Sequence, residues 1–331
     1  MSNVDQTDDG KLFQYDVVYD KEVLSQVPQK TIIATTTMYK DMHDKGNRLR
    51  SALAHNMVQK ACNQGYEVII VDAGSDPGWR NAVKDLGAIV LDEKIDDIPG
   101  AHPMGRSRRQ ALTAAGNHGS HKVIVWTEAE KHPMIVSPQG TYPLATLGSV
   151  IYQDFAELAV PRRMDQLESY PSVQRIVELQ GNLRVYDLIK KYVNEKQGSE
   201  VAAFTPYLDL WVGVRAMNRN TLDNFLAYHG KVGETSHDQW EMLFVVPVDQ
   251  LLNGKKVVSV PVNYVHPRKQ KEFEEGRKVF DDKREKQFNL IIQSIEELLL
   301  LRKKQGILPQ LYQNEGVRLA KGILQSGTTM H

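Results

Sequence analysis

Between residues 31 and 126 the chain alternates β-branched runs with helical stretches, and that alternation limits the fold more than any other feature. TIIATTT (31–37) suits a strand buried on both faces, and YEVIIVDAGSD (66–76), AIVLDEKI (88–95) and HKVIVW (121–126) repeat its character. Between them, NRLRSALAHNMVQKACNQG (47–65) spaces Leu49, Leu53, Met57, Val58 and Ala61 as a helix does and stops on a glycine. GWRNAVKDLG (78–87) reads as a shorter helix and PMGRSRRQALTAAGNH (103–118) as a third. Strand and helix in turn, joined by short connections, predict an α/β fold with a mostly parallel sheet flanked by helices. Ligands of such sheets collect outside the carboxyl ends of the strands. Thr35, Thr36, Thr37, the turn from Asp72 and the residues after Trp126 should therefore share one edge.

The second half is less regular. Residues 143–159 and 172–194 read as helices, 208–228 as a strand turning helical after Asn220, and 236–254 as a helix started at Ser236 or Asp238. KVVSVPVNYVHP (256–267) reads as a strand ending in His266. Residues 270–305 form a charged, then leucine-rich amphipathic helix, expected to pack on the domain or on a second copy as a homo-oligomer contact rather than to enter a membrane.

Composition narrows the partners. Lys and Arg number 41 and Asp and Glu 41, a balance that argues against broad attraction to nucleic acid or an anionic membrane. Cys62 is the single cysteine, so neither an intrachain disulfide nor a thiolate metal cluster can form. The acidic, polar first thirty residues lack the basic start and apolar stretch of a secretory signal, and no long apolar span follows. A cytoplasmic setting is the expectation.

IVWTEAEKHP (124–133) ends an apolar strand on Glu128 and Glu130, like charges that call for something positive nearby. Mg²⁺ and Mn²⁺ favour oxygen donors and keep water and substrate phosphates among their ligands, so one or two carboxylates plus a diphosphate suffice. An arbitrary Glu-x-Glu is more often a solvated loop pair. The position after the fourth strand is where glycosyltransferases of the GT-A type, which use nucleotide-diphosphosugars, carry an Asp-x-Asp motif, and here the chain resembles that family. IIVDAGSD looks like its VDDGS turn, with Ala73 in place of the second acid, and GRSRRQAL resembles its ARNxGL helix start, with Arg108 at the arginine. LWVGVRAMNRNTLDNF and SHDQWEM are similar to its acceptor-side segments, and VPVNYVHP to the strand whose terminal histidine completes metal coordination. The pattern is most like that of the mannosylglycerate synthases and runs from about residue 30 to 268.

The resemblance implies a GT-A-like mixed sheet with a C-terminal helical extension and a metal-dependent transfer of a hexose from a UDP- or GDP-sugar to a small acceptor hydroxyl. Glu130 and His266 would hold Mn²⁺ or Mg²⁺, and Glu128 would contact the ribose, the metal or its waters. Arg106 and Arg108 would meet the diphosphate and Asp72 the base or ribose, beside Thr35 to Thr37. Asp238 would assist the acceptor as general base or anchor, and Trp240 would offer an apolar wall. Each has a plainer reading: Asp72 as a turn-former, Asp238 as a helix cap, the arginines as a solvated face, His266 as a loop residue. The expected division is a loose segment 1–29, a nucleotide-sugar half 30–135, an acceptor half 136–268 and the helical extension 269–331. A nucleotidyltransferase would need a glycine-rich, lysine-bearing loop after the first strand, and TTTMYKDMHDKGNR has one late glycine. A sugar-nucleotide-binding protein without turnover is the other alternative, to be separated from an enzyme by assay.

Overall fold

The computed structural model describes residues 20–95, 103–165, 167–203, 205–233, 235–236 and 238–311. Helix α1 (Lys21–Gln26) leads into β1 (Thr31–Thr37), then α2 (Lys45–Asn63), β2 (Glu67–Asp72), α3 (Pro77–Asp85), β3 (Ile89–Asp92), α4 (Pro103–Asn117) and β4 (Val123–Trp126). The helices begin where short acids can cap them. Asp44 accepts from the Asn47 amide at 2.7 Å and Asp76 from the Trp79 amide at 3.0 Å, with Pro77 in the first position of α3.

After α5 (Pro143–Tyr152) come β5 (Leu158–Arg163), α6 (Ser172–Gln197), β6 (Arg215–Met217), α7 (Arg219–Ala227), α8 (Met242–Leu252), β7 (Val257–Val262), α9 (Arg268–Glu274) and α10 (Lys278–Lys304). The strands form one seven-stranded sheet in the order β3-β2-β1-β4-β6-β5-β7. β6 runs antiparallel to β4 and β5, and the other neighbours are parallel. Both expected halves thus contribute to one mixed, mostly parallel sheet. Alternate side chains feed a core on each face: Ile32, Ala34 and Trp126 on one, Ile33, Val125 and Ala216 on the other. Among the described residues, no helix is long and apolar enough to cross a membrane.

Three expectations need correction. The helix expected over 143–159 ends at Tyr152, and Leu158–Arg163 is a strand. Pro161 sits beyond the two residues of β5 that pair with β6, so its missing N–H removes no bond on that side. The helix expected over 270–305 is two, α9 and α10, parted at Gly276, whose φ of 67° lies in the left-handed region. Within the segment expected to be loose, Val27 is fully buried and lies 2.8 Å from where a Cβ on Gly148 of α5 would stand. Residues 20–29 therefore belong to the packed fold, while 1–19 and the tail QSGTTMH lie outside the described residues.

Candidate active site

β4 hands the chain to a tight turn at the carboxyl edge, in which the Lys131 amide donates to the Glu128 carbonyl at 3.1 Å. The turn brings Glu128, Glu130 and Lys131 together, and it shows what balances the two like charges. Lys131 Nζ stands 3.0 Å from Glu128 Oε2. Arg50, from α2, reaches Glu130 Oε1 at 2.8 Å, and the Tyr39 hydroxyl donates to the same oxygen at 2.8 Å. Each glutamate thus has its own protein cation.

The titration behaviour follows. Crowding by protein raises the Glu128 carboxyl, but Lys131, Arg284 and Arg108 outweigh it and hold it down at about 2. Burial lowers the Lys131 ammonium, and Glu128 foremost brings it back above its ordinary value. Burial and then Glu130 push the Tyr39 phenol well up.

The turn opens on a narrow cavity of about 40 Å³ lined by Glu128, Glu130, Lys131, Trp211, His266 and Arg284, among others. Gly213, at φ 73°, brings its backbone against Glu128, whose Oε1 lies 3.4 Å from where a Cβ would stand. His266 is 5 % exposed and stacks on Tyr170 at 4.4 Å. Among the described residues, neither of its ring nitrogens has a hydrogen-bond partner, nor do the cavity-lining Trp211 Nε1 and Gln174 Oε1. Buried polar atoms left unpartnered are costly, and several on one cavity wall mark a place prepared for a ligand.

Burial, then Lys131, Arg284 and Arg163, hold the His266 imidazole well below its ordinary value, with Glu128 opposing them. The unfolded ring titrates at ~6.5, so below that pH the unfolded chain binds the extra proton and folding stability falls as the pH falls. We expect urea midpoints to drop between pH 7 and pH 5, and to drop less in His266→Phe. Identical pH dependence in the two proteins would contradict the assignment.

The metal expectation for Glu130 and His266 fares differently. Both line the cavity. Arg50 and Tyr39 take Glu130, and Lys131 takes Glu128, so a divalent cation at either carboxylate would meet a positive group already there. Each of the two carboxylates is therefore bound to a protein cation, in place of the open ligands the sequence led us to expect.

No family model matches the chain, and neither does any curated protein. Among solved structures, M. tuberculosis glucosyl-3-phosphoglycerate synthase aligns over 84% of this chain and 84% of its own, with a TM-score of 0.51 and 12% identity. The chain has the GT-A fold. Two further structures of that mycobacterial enzyme also align. One, with UDP, covers 85% of this chain and 84% of its own at a TM-score of 0.48 and 12% identity. The other, with Mn²⁺, UDP and phosphoglyceric acid, covers 83% and 80% at a TM-score of 0.45 and 11% identity.

On this GT-A fold the remaining expected site residues are largely occupied. Asp72 is 1% exposed and ties the turn after β2, accepting from Thr37 Oγ1 at 2.7 Å and from the Gly74 and Ser75 amides at 3.1 and 2.8 Å. With Arg80 at 3.4 Å as well, it is a turn organiser rather than an open contact for a base or ribose. Thr35 is fully buried and Thr36 half-buried, both below the edge. Arg106 is paired with Glu93 at 3.2 Å. Arg108 donates to the Gln239 carbonyl and lies over the Trp126 ring at 5.5 Å, and burial brings its guanidinium down to about 10. Neither arginine lines the cavity.

Asp238 is corrected most clearly. Arg109 grips both its oxygens in a fork, 2.7 and 2.7 Å, and both side chains are buried. The Gly105 amide also donates to the Asp238 carbonyl at 3.0 Å, and a Cβ on Gly105 would overlap the carboxylate. A doubly occupied, buried carboxylate cannot readily accept a substrate proton. Asp238 is a clamp between α4 and the segment before α8. Sequence reasoning missed Lys131, Arg50, Tyr39 and Arg284. Lys131 stood in plain view beside Glu130, whereas the other three arrive from distant elements.

Proposed function

We propose that this protein transfers a hexose from a nucleoside diphosphate sugar to the hydroxyl of a small acceptor. One observation carries the reading: on a GT-A fold, the acidic turn at the end of β4 opens on a cavity whose buried wall holds the unpartnered polar atoms of His266, Trp211 and Gln174. The donor breaks between its anomeric carbon and a diphosphate oxygen, so the site must stabilise negative charge growing on the diphosphate. Lys131 and Arg284 line the cavity and bring positive charge to it. Trp211 and Trp240 line the same cavity and give a sugar ring an apolar face. The narrow cavity receives the reacting end, with the nucleoside lying outward along the carboxyl edge of β1 to β4.

The Arg109 fork on Asp238 favours a second reading, a sugar-nucleotide-binding protein without turnover, because it removes the expected base. Both readings require binding. In a thermal-shift panel of UDP- and GDP-hexoses, a ligand of the native state raises the melting temperature by mass action. We expect one base class to raise it in proportion to the logarithm of ligand concentration. A flat panel would overturn both readings.

A further inference from the structure

We propose that Lys131, with Arg284 lining the same cavity, is a built-in cation that receives the donor diphosphate at the acidic turn without a divalent metal. The inference rests on the proposed function and names how its site neutralises the leaving group.

Lys131 is 9% exposed, with Nζ 3.0 Å from Glu128 Oε2 and 5.7 Å from the centre of the Tyr264 ring. An ammonium has three N–H donors, more than one carboxylate oxygen can use, so it keeps capacity for ligand oxygens. Glu128 keeps it charged in a setting that would otherwise favour the neutral amine. Arg284 enters from α10, with Nη1 donating to Gln287 Oε1 at 3.0 Å, and a guanidinium suits phosphate oxygens in shape and charge.

The other carboxylates on the cavity have protein partners as well. Glu130 is met by Arg50 at 2.8 Å, and Glu178 by Arg163 at 2.6 Å. Lys131 and Arg284 both line the cavity and both act on Glu128, so a phosphate entering there meets two cations. His266, whose ring nitrogens have no partner among the described residues, can donate one N–H to a phosphate oxygen from the buried wall. The acidic turn, the cations seated on it and the unpartnered wall point the same way.

The test is calorimetric titration of UDP and of GDP into the full-length protein, once in EDTA and once in Mn²⁺, for the wild type, Lys131→Gln, Lys131→Arg and Arg284→Gln. For whichever nucleotide binds, we expect the wild-type Kd in EDTA to lie within about threefold of that in Mn²⁺, and both glutamine variants to weaken it by about tenfold or more, as loss of a charge-assisted hydrogen bond does. Lys131→Arg should retain binding in EDTA, which guards against reading misfolding as lost affinity, and the half-buried Arg284 gives a variant with little effect on the core. Binding that appears only with Mn²⁺ would overturn the built-in cation and leave the proposed function standing. Undiminished affinity in Lys131→Gln would also overturn it. If neither nucleotide binds in any condition, the proposed function and this inference fall together.

Discussion

Replacing Arg163 with alanine is expected to cost about 3–5 kcal/mol of stability, the range for removing one partner of a buried charge network. Arg163 closes β5 with its side chain fully buried. Nε and Nη2 meet the two Asp209 oxygens at 2.7 and 2.5 Å, and Nη1 meets Glu178 Oε2 at 2.6 Å. Asn182 and Gln174 complete the set, donating to Asp209 at 2.8 Å and to Glu178 at 2.6 Å. Burial raises the Asp209 carboxyl and Arg163 more than reverses it, so without the guanidinium the acid must take up a proton or remain charged in the core. Gln174 and Glu178 line the cavity, so the damage should reach the site as well. Urea unfolding of Arg163→Ala at neutral pH measures the loss, and a change below about 1 kcal/mol would show that the network contributes little.

Asp238→Asn is expected to lower stability by a similar amount, about 3–5 kcal/mol, because it leaves the buried Arg109 guanidinium facing an amide instead of a carboxylate. A general base behaves otherwise: stability would survive, and turnover would fall by ~10²–10⁴. The double variant Arg109→Leu/Asp238→Leu sharpens the contrast. Replacing a whole buried pair by apolar groups is often close to neutral, so it should recover much of what the single change loses. Melting temperature and transfer rate, measured together on the single and double variants, separate the roles. Full stability in Asp238→Asn with lost transfer would return Asp238 to the catalytic list.

The alternation of β1 to β4 with their helices was legible because parallel strands covered on both faces must be continuously apolar, and TIIATTT and VIVW are. β5 was hidden because Pro161, Arg162 and Arg163 break an apolar run, and the reason an arginine belongs there lies elsewhere: Glu178 is 15 residues away and Asp209 is 46. The same physics divides the candidate site. Glu128 and Glu130 could be placed on the functional edge from strand order alone. Of their cations only Lys131 stood beside them in the chain, since Arg50 comes from α2 and Arg284 from α10. Asp238 was assigned to the acceptor through the family resemblance, with a helix cap as the local alternative, while its actual partner Arg109 stands 129 residues back. Pairing across such separations is set by tertiary packing, which periodicity and turn chemistry do not report.

The most direct test of the central claim is the release of nucleoside diphosphate from UDP- and GDP-hexoses by the full-length protein, followed in the presence of a panel of small hydroxyl acceptors. The account predicts that one donor is consumed and that nucleoside diphosphate and glycosylated acceptor appear in equal amounts. Donors that all remain intact with every acceptor, in EDTA and in Mn²⁺ alike, would contradict it.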